Sequence, residues 1–419
     1  MPRNKGWYVA VLLAALSGCA HHGHGTVHGP GRTHAETRLV GRYLQEPQLP
    51  ADPPALPAAC PADGSGPYLE LTEKECQCLA AANAPVAALL QMENGLSARA
   101  DDRYCCTQGE PGSLQRRLRR WRELQVRNEA ARDALLKFYD LIEAESGRQS
   151  VCQSLSVIET TIADLDALAN DDVLLDGTAQ ELSRRKLDLK QKQADLVLTI
   201  DGLNRALYYS LGYGDRQPQA IWPAYNLALD PVPVDVEASV GLAISQRSEL
   251  QVLRITRSEN SPENLPIVRG VIQQFDPSLG VPPGKQSRLC KLLKLNQDDE
   301  LATRDGQLAR MILEHQEQIS SQVQGYATMA DVRAQQVLLA QQQVEQADLT
   351  YRNLEELRRI GRGTPLDPRQ ALLQLLELKQ NLLSRYLDWK RARVQLAAAQ
   401  GLLAMECGYG YHAPGCHCK

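Results

Sequence analysis

The chain has 419 residues, with 46 Lys and Arg against 50 Asp and Glu; the signs are interspersed, so no electrostatic footprint for nucleic acid is visible. Only 5% of residues are aromatic, two of them Phe, while Leu, Ala, Gln, Glu and Arg dominate the middle and C-terminal parts, as in long helices and coiled coils. No Gly-rich phosphate loop, nucleophile elbow or His-Glu-x-x-His pattern occurs, so the sequence does not read as an enzyme and implies no cofactor.

"MPRNKGWYVAVLLAALSGCA" opens with Arg3 and Lys5, continues through an apolar run from Trp7 to Leu16, and places small residues before Cys19. "LSGC" is similar to the lipobox of bacterial lipoproteins, in which the Cys is lipidated and becomes the first mature residue. An ordinary secretory signal or an uncleaved anchor are the other readings. Ala20, rather than Asp, after the Cys implies, by that resemblance, sorting to the outer membrane. With residues 1–19 set aside, ten of the 11 cysteines remain, an even number in an exported chain, where disulfides are permitted. Cys76 and Cys78 in "ECQC" and Cys105 and Cys106 in "YCC" flank a turn and are candidates to pair. Residues 20–66 are rich in His, Gly and Pro and read as a flexible tether rather than a metal site.

A helix is expected from "LTEKECQC", where Thr72 and Glu75 form a capping-box pattern. Further helices are expected over 113–145 and 153–170 and, after a break at Gly177, over 178–211. Leu182, Leu189, Leu196 and Leu203 repeat every seven residues there, a coiled-coil seam. Past a Pro-containing connector (217–235) the order recurs in a second repeat (236–403), after a first at 67–216. "VEASVGLAISQRSELQVLRI" opens a helix, and a long one follows with Ala330, Val337, Val344 and Tyr351 at one seam position and Ala340, Ala347 and Leu354 at another. A return helix carries Leu375, Leu382, Trp389 and Leu396.

The long helices are interrupted at "LLDGTAQ" and "RRIGRGTPLD". These breaks lie 186 residues apart (Gly177 to Gly363), and the closing glycines lie 189 apart (Gly212 to Gly401). Such a period suits a duplicated helical hairpin. Each Gly-Thr then marks a tip where a helix reverses, Gly supplying positive φ and Pro365 preventing continuation. The fold class is mainly α: long duplicated hairpins in a coiled-coil or α-barrel-like bundle.

In this order, "LTEKECQCLAAANAP", "AISQRSELQ" and "RRIGRGTPLDPRQALLQLLELKQNLLSRYLDWKRARVQLAAAQG" resemble the TolC-type outer-membrane efflux proteins over 69–403. Ser248 stands where that family usually has Pro. The resemblance implies a trimer whose helices form a periplasmic tunnel and whose tips meet a periplasmic adaptor joined to an inner-membrane pump. It thereby makes Gly177, Thr178, Gly361, Gly363 and Thr364 the partner-facing residues. The strands of the family's barrel are reduced or missing. "ARADDRYCCTQGEPGS" contains no membrane strand, and Leu265 to Leu295 offers at most two short ones, cut by Pro266, Pro277, Pro282 and Pro283. The alternative is a non-conducting structural protein of the envelope.

Two remaining clusters have plain readings. "SLQRRLRRWRELQVR" fits a solvated, salt-bridged helix more simply than a phosphate or lipid site. The tail (404–419) holds Cys407, His412, Cys416, His417 and Cys418, which favour disulfides over zinc in an exported chain; no metal is assigned. His315, within a helix, is expected to pack or face solvent.

Overall fold

The helical part begins where the capping pattern places it. The backbone N–H of Glu75 donates to Thr72 Oγ1 (3.3 Å) and that of Thr72 to Glu75 Oε2 (2.9 Å). The computed structural model describes residues 68–101, 111–168, 173–214, 220–225, 233–282, 297–364 and 366–411. Cys19, Cys105, Cys106, Pro365 and the tail from His412 on lie outside them.

Strand β1 (Leu69–Thr72) leads into α1 (Glu73–Ala82), and α2 (Pro85–Asp101) follows. Helix α3 (Pro111–Leu168) is one continuous helix of 58 residues, where two helices were expected. Gly147 lies in the anticipated gap, but a Cβ there would sit in ordinary contact with Leu196, 3.6 Å away. Arg148 and Glu145 form a buried pair one turn apart, at 3.0 Å. A mid-helix glycine costs only about 1 kcal/mol, which packing overrides.

The chain reverses between Leu168 and Val173, where α4 (Val173–Ser210) begins. Gly177 and Thr178 therefore lie inside α4 and not at the tip, correcting the expected break. No atom comes within 4 Å of a Cβ built on Gly177, and no proline follows it, so nothing forces the helix to end there. The α4 seam leucines are half-buried, because α4 packs chiefly against α3 alone.

Strand β2 (Ile221–Ala224) pairs parallel with β1, Leu69 opposite Ile221. These four-residue strands, unforeseen from the sequence, are the only sheet among the described residues.

The stretch read as one helix from Val236 is two, α5 (Val236–Gln246) and α6 (Ser248–Ser258), separated by Arg247 in extended conformation (φ -63, ψ 122). That is the backbone a residue before proline adopts. Here Ser248 replaces proline, and the guanidinium of Arg247 holds the bend by donating to Glu249 (3.0 Å) and to Ala399 O (3.3 Å).

Leu265–Phe275 forms helix α7, which corrects the expectation of short strands. Leu265, Val268 and Ile272 are buried at helical spacing, and Pro266 sits in the first turn, where it favours a helix instead of cutting a strand.

Helix α8 (Gln297–Arg359) runs 63 residues, roughly 95 Å, and α9 (Leu366–Gln400) returns along it. Ala330, Val337, Ala340, Leu375, Trp389 and Leu396 of the predicted seams are buried. The main core gathers Phe138, Tyr139 and Ile142 of α3, Leu207 of α4 with Leu211 just past its end, and Tyr386 and Leu387 of α9. Gly212 and Gly401, at φ 79 and 78, terminate α4 and α9.

Past Gly401 the chain folds back as a strap. Gln77 Nε2 donates to Leu403 O (2.8 Å), the Leu403 N–H donates to Asn128 Oδ1 (3.0 Å), and Tyr411 stacks on Trp121. A disulfide joins Cys78 to Cys407, and Cys76 is buried and free. The pairing thus differs from the expected link across the turn to Cys105 and Cys106. The two cysteines lie two residues apart on one helix and point to different sides, and only Cys78 meets the strap. Burial pushes the Cys76 thiol up to about 12, so it remains protonated.

Candidate functional site at the helix-reversal tips

The α8–α9 turn is built from backbone geometry. The N–H of Gly361 donates to Arg358 O (3.0 Å) and that of Arg362 to Leu357 O (2.8 Å), the paired bonds of a Schellman cap. Gly361 has φ 72 and Gly363 φ 125, conformations that side-chain-bearing residues rarely adopt. Thr364 then opens α9. The Asp367 N–H donates to Thr364 Oγ1 (3.3 Å) and the Thr364 N–H to Asp367 Oδ2 (3.2 Å), a reciprocal cap.

This turn is fixed and fully presented. Every residue from 355 to 364 is exposed, including the apolar Leu357 (42%) and Ile360 (52%). Arg359 pairs with Glu356 (2.7 Å) and Arg358 with Glu355 (3.6 Å), while Arg362 forms no ion pair among the described residues. Hydrogen bonds from Arg359 hold the Glu356 carboxyl below its usual range. The tip therefore offers an apolar knob ringed by arginine.

The two reversals lie at the same end of the bundle. Arg369, in the first turn of α9, pairs with Asp164 near the end of α3. Further polar links run down the α3–α9 contact: Ser146 to Gln380 (3.2 Å), Ser384 to Glu143 (2.7 Å), and Arg391 to both Asp140 (2.7 Å) and Glu143 (2.6 Å). Alongside them a cleft of about 670 Å³ opens between α4 and α9, lined by Asp140, Glu143, Lys192, Glu377 and Gln380.

Of the residues expected to face a partner, Gly361, Gly363 and Thr364 stand together on this tip. Gly177 and Thr178 stand about one helical turn beyond the other reversal. The Asp164–Arg369 link was not foreseen; its only sequence signal is a pair of opposite charges flanking the two tips. The arginines near Trp121 are engaged in ion pairs: Arg117 with Glu259 (2.7 Å), Arg119 with Glu93 (3.9 Å) and Arg127 with Glu123 (3.0 Å). His315 packs edge-on against Phe275. No cluster of metal-ligating side chains occurs among the described residues, and no described helix is long and apolar enough to cross a membrane.

No protein-family model matches the chain, and no curated protein matches it significantly. Solved structures do. The open state of the MtrE outer membrane channel of Neisseria gonorrhoeae superposes with a TM-score of 0.59 at 9% identity, covering 78% of this chain and 88% of that one. The fold is that of TolC-type outer-membrane efflux channels. CusC gives a TM-score of 0.54 at 12% identity, covering 80% of this chain and 92% of its own. The CmeC channel of Campylobacter jejuni gives 0.51 at 10% identity, with 70% of this chain covered and 66% of that one, just under two thirds. Within the TolC-type fold, this chain keeps the long hairpins and, among its described residues, closes no barrel.

Proposed function

We propose that the protein is an export component of a bacterial envelope, lipid-anchored through Cys19 on the periplasmic face of the outer membrane. Its helical hairpins engage a periplasmic adaptor of a multi-part transport system, with an inner-membrane pump beyond it. The observation that carries this reading is the α8–α9 tip, whose shape is set by Gly361 and Gly363 and whose residues 355–364 are all exposed. Met329, Val332, Leu339 and Leu349 are exposed apolar side chains along α8, which supports association of several copies, a trimer by the fold likeness.

The test replaces Ile360 and Arg362 by Glu, leaving the glycines and the Thr364 cap intact. Adaptor cross-linking and export are expected to fall roughly tenfold or more with helical circular dichroism unchanged. Equal cross-linking would reduce the tip to a turn. Separately, Cys19→Ala should abolish lipid labelling; retained labelling would reject the anchor.

A second reading, a non-conducting protein that bridges envelope layers, is favoured by one observation. Leu265–Phe275 is helix α7, and the described strands have four residues each, whereas a membrane strand needs about 9–11. Stable single-channel steps in planar bilayers would exclude it; adaptor cross-linking without conductance would favour it.

A further inference from the structure

Cys152 is disulfide-bonded, in addition to the Cys78–Cys407 pair. It is half-buried on α3, and Gln193 Nε2 of α4 donates to its Sγ (3.2 Å), so the bond sits at the α3–α4 contact. Its partner is none of the described cysteines, because Cys76 is free and Cys78 and Cys407 hold each other. Chain reach decides among the rest. Cys105 and Cys106 lie just ahead of Pro111, within about 20 Å of it at full extension, whereas Cys152 stands about 60 Å along α3. Cys290 reaches at most about 25 Å from Gln297. Arg333 shares Asp388 with Arg391, which pairs with Asp140. From that level Gln297 lies about 54 Å away from the tips and Cys152 about 18 Å toward them. Tyr411 stacks on Trp121, about 46 Å from Cys152, and Cys416 and Cys418 extend at most about 25 Å past it.

Cys60 is within reach. The Ile221 N–H donates to Asn204 Oδ1 (2.8 Å), which sets β2, with β1 beside it, about 17 Å along α4 from Gln193. Helix α1 runs away from Cys152: Glu73 at its start pairs with Lys390 (2.9 Å), next to the Arg391–Asp140 link, and Ala82 at its end accepts from Arg127 (3.1 Å). The chain ahead of Leu69 therefore enters from the Cys152 side, and the stretch from Cys60 to Leu69 spans up to about 30 Å. Cys19 is the remaining cysteine; its proposed lipid occupies its Sγ, and that clause alone rests on the anchor reading.

We propose that Cys60 and Cys152 form this disulfide. It tacks the His/Gly/Pro-rich tether onto the α3–α4 contact, leaves residues 20–59 as its free length, and closes residues 60–152 into one loop. The two Sγ atoms join as each thiol gives up a proton and an electron to the disulfide of an external thiol oxidase, which becomes a dithiol.

The experiment maps disulfides in the full chain exported to an oxidising compartment. Free thiols are alkylated in denaturant without reductant, and trypsin is then applied. Trypsin places Cys60 in Tyr43–Lys74 and Cys152 in Gln149–Arg184, neither with another cysteine. The expected result is a linked species of these two peptides that separates on reduction. Cys60→Ser should turn Cys152 from protected to fully alkylated while the Cys78–Cys407 link persists, and Cys152→Ser should expose Cys60 in the same way. Alkylated Cys152 in the parent chain overturns the proposal without any variant. So does a link from Cys152 to any other cysteine of the chain or to a second copy. A link to Cys19 would overturn the anchor as well, whereas loss of lipid labelling alone would leave the Cys60–Cys152 species in the map.

Discussion

Asp164 and Arg369, separated by 205 residues in sequence, meet as an ion pair that fastens the end of α3 to the first turn of α9. The pair lies immediately behind both reversals, so it holds one hairpin tip level with the other. Arg369 is mostly covered and Asp164 is half open to solvent, so the stabilisation is that of a partly screened pair, about 0.5–1 kcal/mol. Arg369→Ala is expected to lower the urea midpoint by a corresponding small amount and to speed proteolysis near the tips. Exchanging the charges, Asp164→Arg with Arg369→Asp, should restore much of the loss; no recovery would show that the pair does not couple the tips.

Thr364 should act through its hydroxyl. Thr364→Ala removes the acceptor for the Asp367 N–H and is expected to cost about 1 kcal/mol, measured by denaturant unfolding, while Thr364→Ser should be nearly neutral. Equal stability of the Ala variant would mean that the cap contributes nothing.

The Cys78–Cys407 disulfide spans 329 residues, so its effect on the unfolded chain is at the upper end for such bonds, about 4–5 kcal/mol. Cys407→Ser should lower the melting temperature clearly and loosen the strap, read as faster exchange near Leu403 and Tyr409. An unchanged melting temperature would show that the strap holds by its hydrogen bonds alone.

Acid should weaken the α7–α8 junction. Arg269 donates to Glu300 at 2.8 and 2.6 Å, and these bonds hold the carboxyl below its usual range. A depressed folded value means the stabilisation is complete above the unfolded carboxylate value, near 4.3, and is lost as pH falls through the lower folded value. Glu300→Gln should be less stable than the parent at neutral pH, and the difference should shrink below about pH 4. A gap that persists in acid would contradict the assignment.

The legible parts of the fold were those with local causes. The seam at Val337, Leu375 and Trp389 repeats at helical spacing, and Gly361, Gly363 and Pro365 together leave no helical alternative, so the second tip could be placed from residues alone. Gly177 looked similar but stands without a proline among strong helix formers, and its small intrinsic cost did not move the reversal. Pro266 suggested a short strand cut at its start, although the four-residue interval from Val268 to Ile272, with Leu265 and Pro266 in the first turn, is helical. The partner of Cys78 and the Asp164–Arg369 pair depend on how distant segments register, which no short-range pattern encodes.

On the proposed export route, the bond between Cys78 and Cys407 also sets an order of events during biogenesis. A chain crossing a membrane from its N-terminus delivers Cys78 to the oxidising side hundreds of residues before Cys407, with Cys76 only two residues away. Any disulfide Cys78 makes in that interval is a wrong one and must be exchanged later, while the native bond can close only once nearly all of the chain has been translocated. Closing the Cys78–Cys407 bond passes two electrons and two protons to an external disulfide donor, or exchanges an earlier Cys78 disulfide for the native one as the Cys407 thiolate attacks it, so on that route maturation should slow when either the oxidase or the isomerase is absent.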